Sequence, residues 1–120
     1  MPTFSIQSQE KLKTCCPELI KLCNQAVVLL DFTVIQGYRS NDEQDRLFES
    51  GASKLRGGKS KHNKWPSSAV DLAPYPIDWY NIERFERLAL VMKALALANG
   101  VLLVWGGDWV NFRDYVHFQI

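Results

Sequence analysis

The stretch from Asn81 to Gly100, "NIERFERLALVMKALALANG", constrains the fold of this chain more than any other. Phe85, Leu88, Val91, Met92 and Leu95 recur at helical spacing, Asn81 stands where an N-cap belongs, and Gly100 supplies a C-terminal stop. An amphipathic helix of this length is stable only when its apolar stripe is buried, so it is expected to be the core helix. The chain has 120 residues, which predicts a single domain, residues 1–120, able to bury roughly two thirds of its unfolded surface. No linker, internal repeat or low-complexity tract divides it.

The other elements are shorter. Ser8 to Thr14 predicts a helical turn, and Pro17 suits the first position of a helix reaching about Leu30. "DFTVIQGYR" alternates as a strand, with Phe32, Val34 and Gln36 on one side, and Gly37 ends it. Ser40 and Glu43 have capping-box spacing, so a helix should start at Asn41 and stop at Gly51, leaving Arg39 at a strand-to-helix junction. Residues 51–68 read as a long loop, a kind that is often functional in a compact domain. "AVDLAP", "VLLVW" and "YVHFQI" read as strands, the last two joined through the turn "GGDW". Helices and strands mix without strict alternation, which predicts an α+β fold with a small, mostly antiparallel sheet.

Composition excludes some functions. The 14 basic and 13 acidic residues leave a net charge of +1, so nothing electrostatic points to a nucleic-acid partner. The N-terminus lacks the apolar run of a signal peptide and no stretch is long enough to span a bilayer, which predicts a soluble protein made in the cytoplasm without membrane insertion. The three cysteines, Cys15, Cys16 and Cys23, lack CxxC spacing and are expected as buried, reduced thiols.

Only two histidines are present, His62 in a lysine-rich loop and His117 close to the C-terminus. Alternation gives Val116, Phe118 and Ile120 the core face and turns His117 the other way; likewise Val70 and Leu72 share a face and Asp71 takes the opposite one. Catalytic zinc sites commonly use three nitrogen or oxygen ligands and leave a fourth position to water, a set that His62, Asp71 and His117 would supply. Spacing by itself equally fits a surface histidine, a hydrogen-bonded strand histidine and an unrelated aspartate.

"SKHNKWPSSAVDLAP" together with "DYVHFQI" resembles the zinc peptidoglycan peptidases that include the D-alanyl-D-alanine carboxypeptidases and the L-alanyl-D-glutamate endopeptidases of phage endolysins. The resemblance lies in Ser60-x-His62, Ala69-x-Asp71, and Asp114 three residues before His117. "GYRSNDEQDRLFESG" and "WGGDW" extend it over nearly the whole chain from Phe32 onward. It implies a Hedgehog/DD-peptidase-like fold, Zn2+ held by His62, Asp71 and His117, Asp114 as general base and then acid, and Arg39 holding an oxyanion or a substrate carboxylate. Gln44, Ser60 and Trp109 would contact substrate, and Asp108 would orient a ligand histidine. Strand alternation would set Asp114 and His117 on opposite faces, so the chain is expected to turn between Asp114 and Tyr115. His62 and Asp71 are further apart than in the commoner family pattern, with "KWPSS" between them, which predicts a bulged loop that alters the cleft rim near Trp65.

The implied activity is hydrolysis of the peptidoglycan stem peptide at the L-alanyl-D-glutamate bond, in phage- or prophage-type lysis. Alternatives are a D-alanyl-D-alanine carboxypeptidase and a zinc-binding module without catalysis. The resemblance further implies a monomer without a wall-binding domain, reaching the wall through a holin-type pore. The run Lys54, Arg56, Lys59, Lys61 and Lys64 reads as a solvated loop or as a rim attracting the carboxylates of wall peptides, with nucleic acid a distant third.

Overall fold

A computed structural model describes residues 2–120. Ser5 caps the first helix, α1 (Ile6–Leu12), its Oγ accepting from Ser8 N at 3.1 Å. The helix thus begins before Ser8, whose buried hydroxyl instead accepts from Val34 N at 3.0 Å. α2 (Pro17–Val27) opens with proline at its first turn, where the missing N–H costs nothing. α3 (Asn41–Glu49) is capped by Ser40, whose Oγ accepts from Glu43 N. α4 (Ile82–Asn99) ends at Gly100 with φ 70°, a left-handed conformation that only glycine adopts without penalty. Asn81 occupies the N-cap position of α4, but its side chain makes no capping hydrogen bond there.

The strands are β1 (Phe32–Gln36), β2 (Ala69–Pro74), β3 (Val104–Trp105) and β4 (His117–Gln119), in the order β1-β2-β4-β3 and antiparallel throughout. The fold is therefore α+β. β3 and β4 are shorter than the apolar runs that predict them, because Leu102 and Val104 lie at the open edge while Tyr115 and Val116 form a turn. Short 3-10 turns occupy Lys61–Asn63 and Gly106–Asp108.

The core lies between one face of the sheet and the helices. Val34, Val70, Leu72 and Phe118 pack with Leu19, Leu22 and Cys23 of α2 and with Leu88 and Met92 of α4. All three cysteines are buried and unpaired. Among the described residues, no helix is long and apolar enough to cross a membrane. β2 is buried along its whole length, so the polar Asp71 at its centre requires partners.

Candidate metal centre and active site

Asp71 stands opposite His117 in the β2–β4 ladder. Facing residues of an antiparallel pair project to the same side with Cβ atoms about 4.5–5.5 Å apart, so register alone brings these two side chains together. His62 arrives from outside the sheet. Ser60 Oγ accepts from His62 N and Asn63 Oδ1 accepts from Ser60 N, both at 3.1 Å, a capping box that fixes the 3-10 turn carrying the imidazole.

Each ring has one nitrogen already committed. His62 Nδ1–H donates to the Gly37 carbonyl at 2.7 Å, leaving Nε2 facing Asp71 Oδ1 at 3.1 Å. His117 is bound the opposite way round: Nε2–H donates to Gln119 Oε1 at 2.8 Å, and Nδ1 faces the same Asp71 Oδ1 at 3.3 Å. Neutral rings so arranged direct two nitrogen lone pairs and a carboxylate at one spot, with the donor atoms within 4.8 Å of one another. Extra protons or a single cation would relieve that crowding. The set of two imidazoles and one carboxylate, each ring oriented through its other nitrogen, fits a divalent transition metal.

Burial pushes the Asp71 carboxyl up, but hydrogen bonds from His117 and His62 and their charges outweigh it and hold the group below its ordinary value. Burial lowers His117, and the Asp71 hydrogen bond and charge reverse this, so its pKa lies above the ordinary 6.5. Asp114 moves the other way from Asp71: burial and the charge of Asp71 raise its carboxyl, against the pull of His117 and His62.

The turn expected before His117 is present, its N donating to Asp114 O at 3.2 Å. Asp114 and His117 consequently line the same cleft, of about 630 Å3, with His62 and Asp71. Gly106 sits beneath this turn, and a Cβ there would strike Asp114 O and His117 Cβ. Trp109 lines the cleft with its ring 5.2 Å from that of His117, and Ser60 lines it beside His62.

A family model for phage L-alanyl-D-glutamate peptidase matches residues 2–118. The chain belongs to this family. The L-alanyl-D-glutamate peptidase of Escherichia phage T5 is 34% identical over 118 residues, covering 93% of this chain and 85% of the phage protein. The Bacillus subtilis (strain 168) peptidoglycan L-alanyl-D-glutamate endopeptidase CwlK is 31% identical over 104 residues, 76% of this chain and 61% of that protein. The crystal structure of the Serratia marcescens L-Ala D-Glu endopeptidase ChiX matches with a TM-score of 0.85 at 28% identity, covering 98% of this chain and 88% of the other.

Within this peptidase domain some residues sit elsewhere than the sequence suggests. Gln44 is fully buried and outside the cleft wall; it accepts from Arg39 Nη1 at 2.8 Å and donates to Ser53 Oγ at 2.8 Å and Leu55 O at 2.7 Å. It is a brace, without access to substrate. Asp108 is exposed and pairs with Lys93 Nζ at 2.6 Å, and the ring-orienting places belong to Gly37 O and Gln119. Trp65 is exposed, edge-on to Tyr38 at 5.2 Å, and does not line the cleft, so the longer His62–Asp71 interval bulges away from the rim.

Arg39 does line the cleft. Its Nη2 lies 3.8 Å from Asp71 Oδ2 and 3.3 Å from Gln36 Oε1, while Nε is buried without a hydrogen-bond partner. Gln119 was within reach of sequence reasoning, since it shares the His117 face by alternation. The Gly37 carbonyl was not, because a backbone acceptor leaves no side-chain signal.

Proposed function

We propose that this chain is a zinc-dependent peptidoglycan peptidase that hydrolyses the stem peptide between L-alanine and D-glutamate. The observation that carries the metal reading is the convergence of His62 Nε2, Asp71 Oδ1 and His117 Nδ1, each ring having its other nitrogen tied. Bound zinc supplies Lewis-acid polarisation of an amide carbonyl and acidification of water.

The chain's own residues do the rest. Asp114, at the cleft with its carboxyl made more basic by burial and by Asp71, takes a proton from the attacking water and passes it to the departing amine. Arg39 keeps its charge at any working pH and meets negative charge developing on the amide oxygen or borne by the substrate. Trp109 and Ser60 contact the peptide from the cleft walls. The family's association with phages supports a role in lysis, in which a monomer acts on the wall after passage through a holin-type pore.

The test is digestion of purified cell walls with and without chelator, followed by mass spectrometry. Release of stem peptides beginning at D-glutamate, abolished by chelator and restored by zinc, is the expected result. Loss of terminal D-alanine instead would replace this reading with a carboxypeptidase. Asp114→Asn should lower turnover by about 10²–10⁴-fold with zinc still bound; unchanged turnover would remove Asp114 from the mechanism, and no hydrolysis by the unaltered protein would leave only a binding module.

A further inference from the structure

The fold divides the cations of the 51–64 segment. Arg56 lays its guanidinium on the Phe48 ring at 4.4 Å, and Lys64 is exposed outside the cleft. Lys54, Lys59 and Lys61 line the cleft beside His62. The sequence as a whole is almost neutral, with 14 basic and 13 acidic residues, but the cleft is not. Among the described residues its charged lining consists of Arg39 and these lysines against Asp71 and Asp114, and both acids already have roles in the proposed mechanism.

The segment is fastened near each lysine. Gln44 holds Ser53 and Leu55, Gly57 N donates to Asp45 Oδ1 at 2.7 Å, and Asn63 Oδ1 accepts from Gly58 N and Ser60 N. Phe112 and Trp109 also line the cleft, and Lys54 Nζ lies over the Phe112 ring, 5.4 Å from its centre. The lining therefore combines cationic and aromatic side chains, suited to a peptide that carries both an anionic group and apolar surface.

We propose that Lys54, Lys59 and Lys61 form a carboxylate-reading wall that selects stem peptides whose glutamyl residue keeps its free carboxylate over those in which that group is a carboxamide. The inference rests on the cleavage site proposed above. Glutamate has two carboxyl groups, one of which continues the chain, so the other remains as an anion within the residue that follows the scissile amide. Amidation removes that charge and changes little in shape. Lysine is a mobile point charge rather than a rigid fork, and exposed ammonium groups are screened by salt, so the selection is graded and weakens with ionic strength.

The test compares two synthetic L-alanyl-D-glutamyl stem peptides, identical except for free carboxylate or carboxamide, with the full-length zinc-loaded protein. At low salt kcat/KM should favour the carboxylate by about tenfold, narrowing several-fold at about 0.5 M salt. The triple variant Lys54→Gln, Lys59→Gln, Lys61→Gln should bring the ratio to within about twofold, mainly through KM, whereas Lys64→Gln should keep the original ratio. Equal turnover of both peptides by the unaltered protein, or a preference that survives the triple variant, would overturn the proposal. Equilibrium binding of both peptides to Asp114→Asn, read by tryptophan fluorescence, decides the wall even if cleavage falls at another bond or fails. Unequal binding that the lysine substitutions abolish supports it and equal binding overturns it, while absent cleavage or cleavage at another bond counts only against the hydrolytic assignment.

Discussion

An imidazole offers a lone pair only from the nitrogen that carries no proton, so whatever holds the proton on the other nitrogen decides whether the ring can bind metal. Gln119 does this for His117. Gln119→Leu leaves a buried N–H unpaired and frees the ring to rotate; zinc affinity should fall about 10–100-fold in a competition titration, with hydrolysis recovering at high zinc. Protonation has a calculable effect on the metal-free protein. His117, raised in the fold, contributes stability that is complete below its ordinary 6.5 and is lost as pH rises through the higher folded value. Asp71, lowered in the fold, contributes stability that is present above its ordinary 3.8 and is lost as pH falls through the lower folded value. From these two groups the thermal midpoint of chelator-treated protein should be highest between those two ordinary values and decline on both sides, with the raised Asp114 carboxyl tilting the maximum toward the acid end. The cysteines provide a contrast: burial, then the neighbouring Cys16, push the Cys15 thiol up to about 12, so native protein at pH 8 should react with a thiol reagent only as fast as it unfolds.

At the level of elements, α3 connects Arg39 to the segment that lines the cleft. Its first turn is fixed by the Ser40 cap next to Arg39, and one turn on, Gln44 grips the Arg39 guanidinium on one side and residues Ser53 and Leu55 on the other. Gln44→Leu keeps the volume but orphans the hydrogen-bonding groups on both sides. Expected are a loss of about 2–4 kcal/mol in denaturant unfolding and earlier protease cleavage between residues 51 and 60. What the sequence makes legible at this scale follows from local physics. Ser40 with Glu43, Pro17, Gly100 and the α4 periodicity all locate helices because caps and stripes are short-range signals. β3 and β4 are overestimated because "VLLVW" and "YVHFQI" carry strand propensity that their exposure and the turn at Tyr115 override. Gln44, expected at the substrate, instead turns inward to Arg39, Ser53 and Leu55, contacts with residues outside its helix that only the tertiary fold supplies.

In the whole molecule, the two imidazoles and the carboxylate that could hold a metal come from a loop turn and two strands, at positions 62, 71 and 117, and the unfolded chain has no reason to hold them together. A cation bound there consequently closes the chain between distant segments and stabilises the folded state by mass action. At free zinc about a thousand times its dissociation constant the gain approaches 4 kcal/mol, and for a domain of this size that corresponds to a rise of roughly 15 °C in Tm. Binding of zinc to unfolded histidines and to the three cysteines, exposed only on unfolding, reduces the shift from that ceiling. Differential scanning calorimetry across a zinc series should show Tm climbing with the logarithm of free zinc and returning on chelation. Asp71→Asn keeps the shape of the buried side chain but removes its charge, so it should flatten the series, whereas Asp114→Asn should preserve the slope while lowering turnover by about 10²–10⁴-fold. A flat series in the unaltered protein would mean that His62, Asp71 and His117 are held together by protons alone, and the metal-dependent mechanism would fall with it.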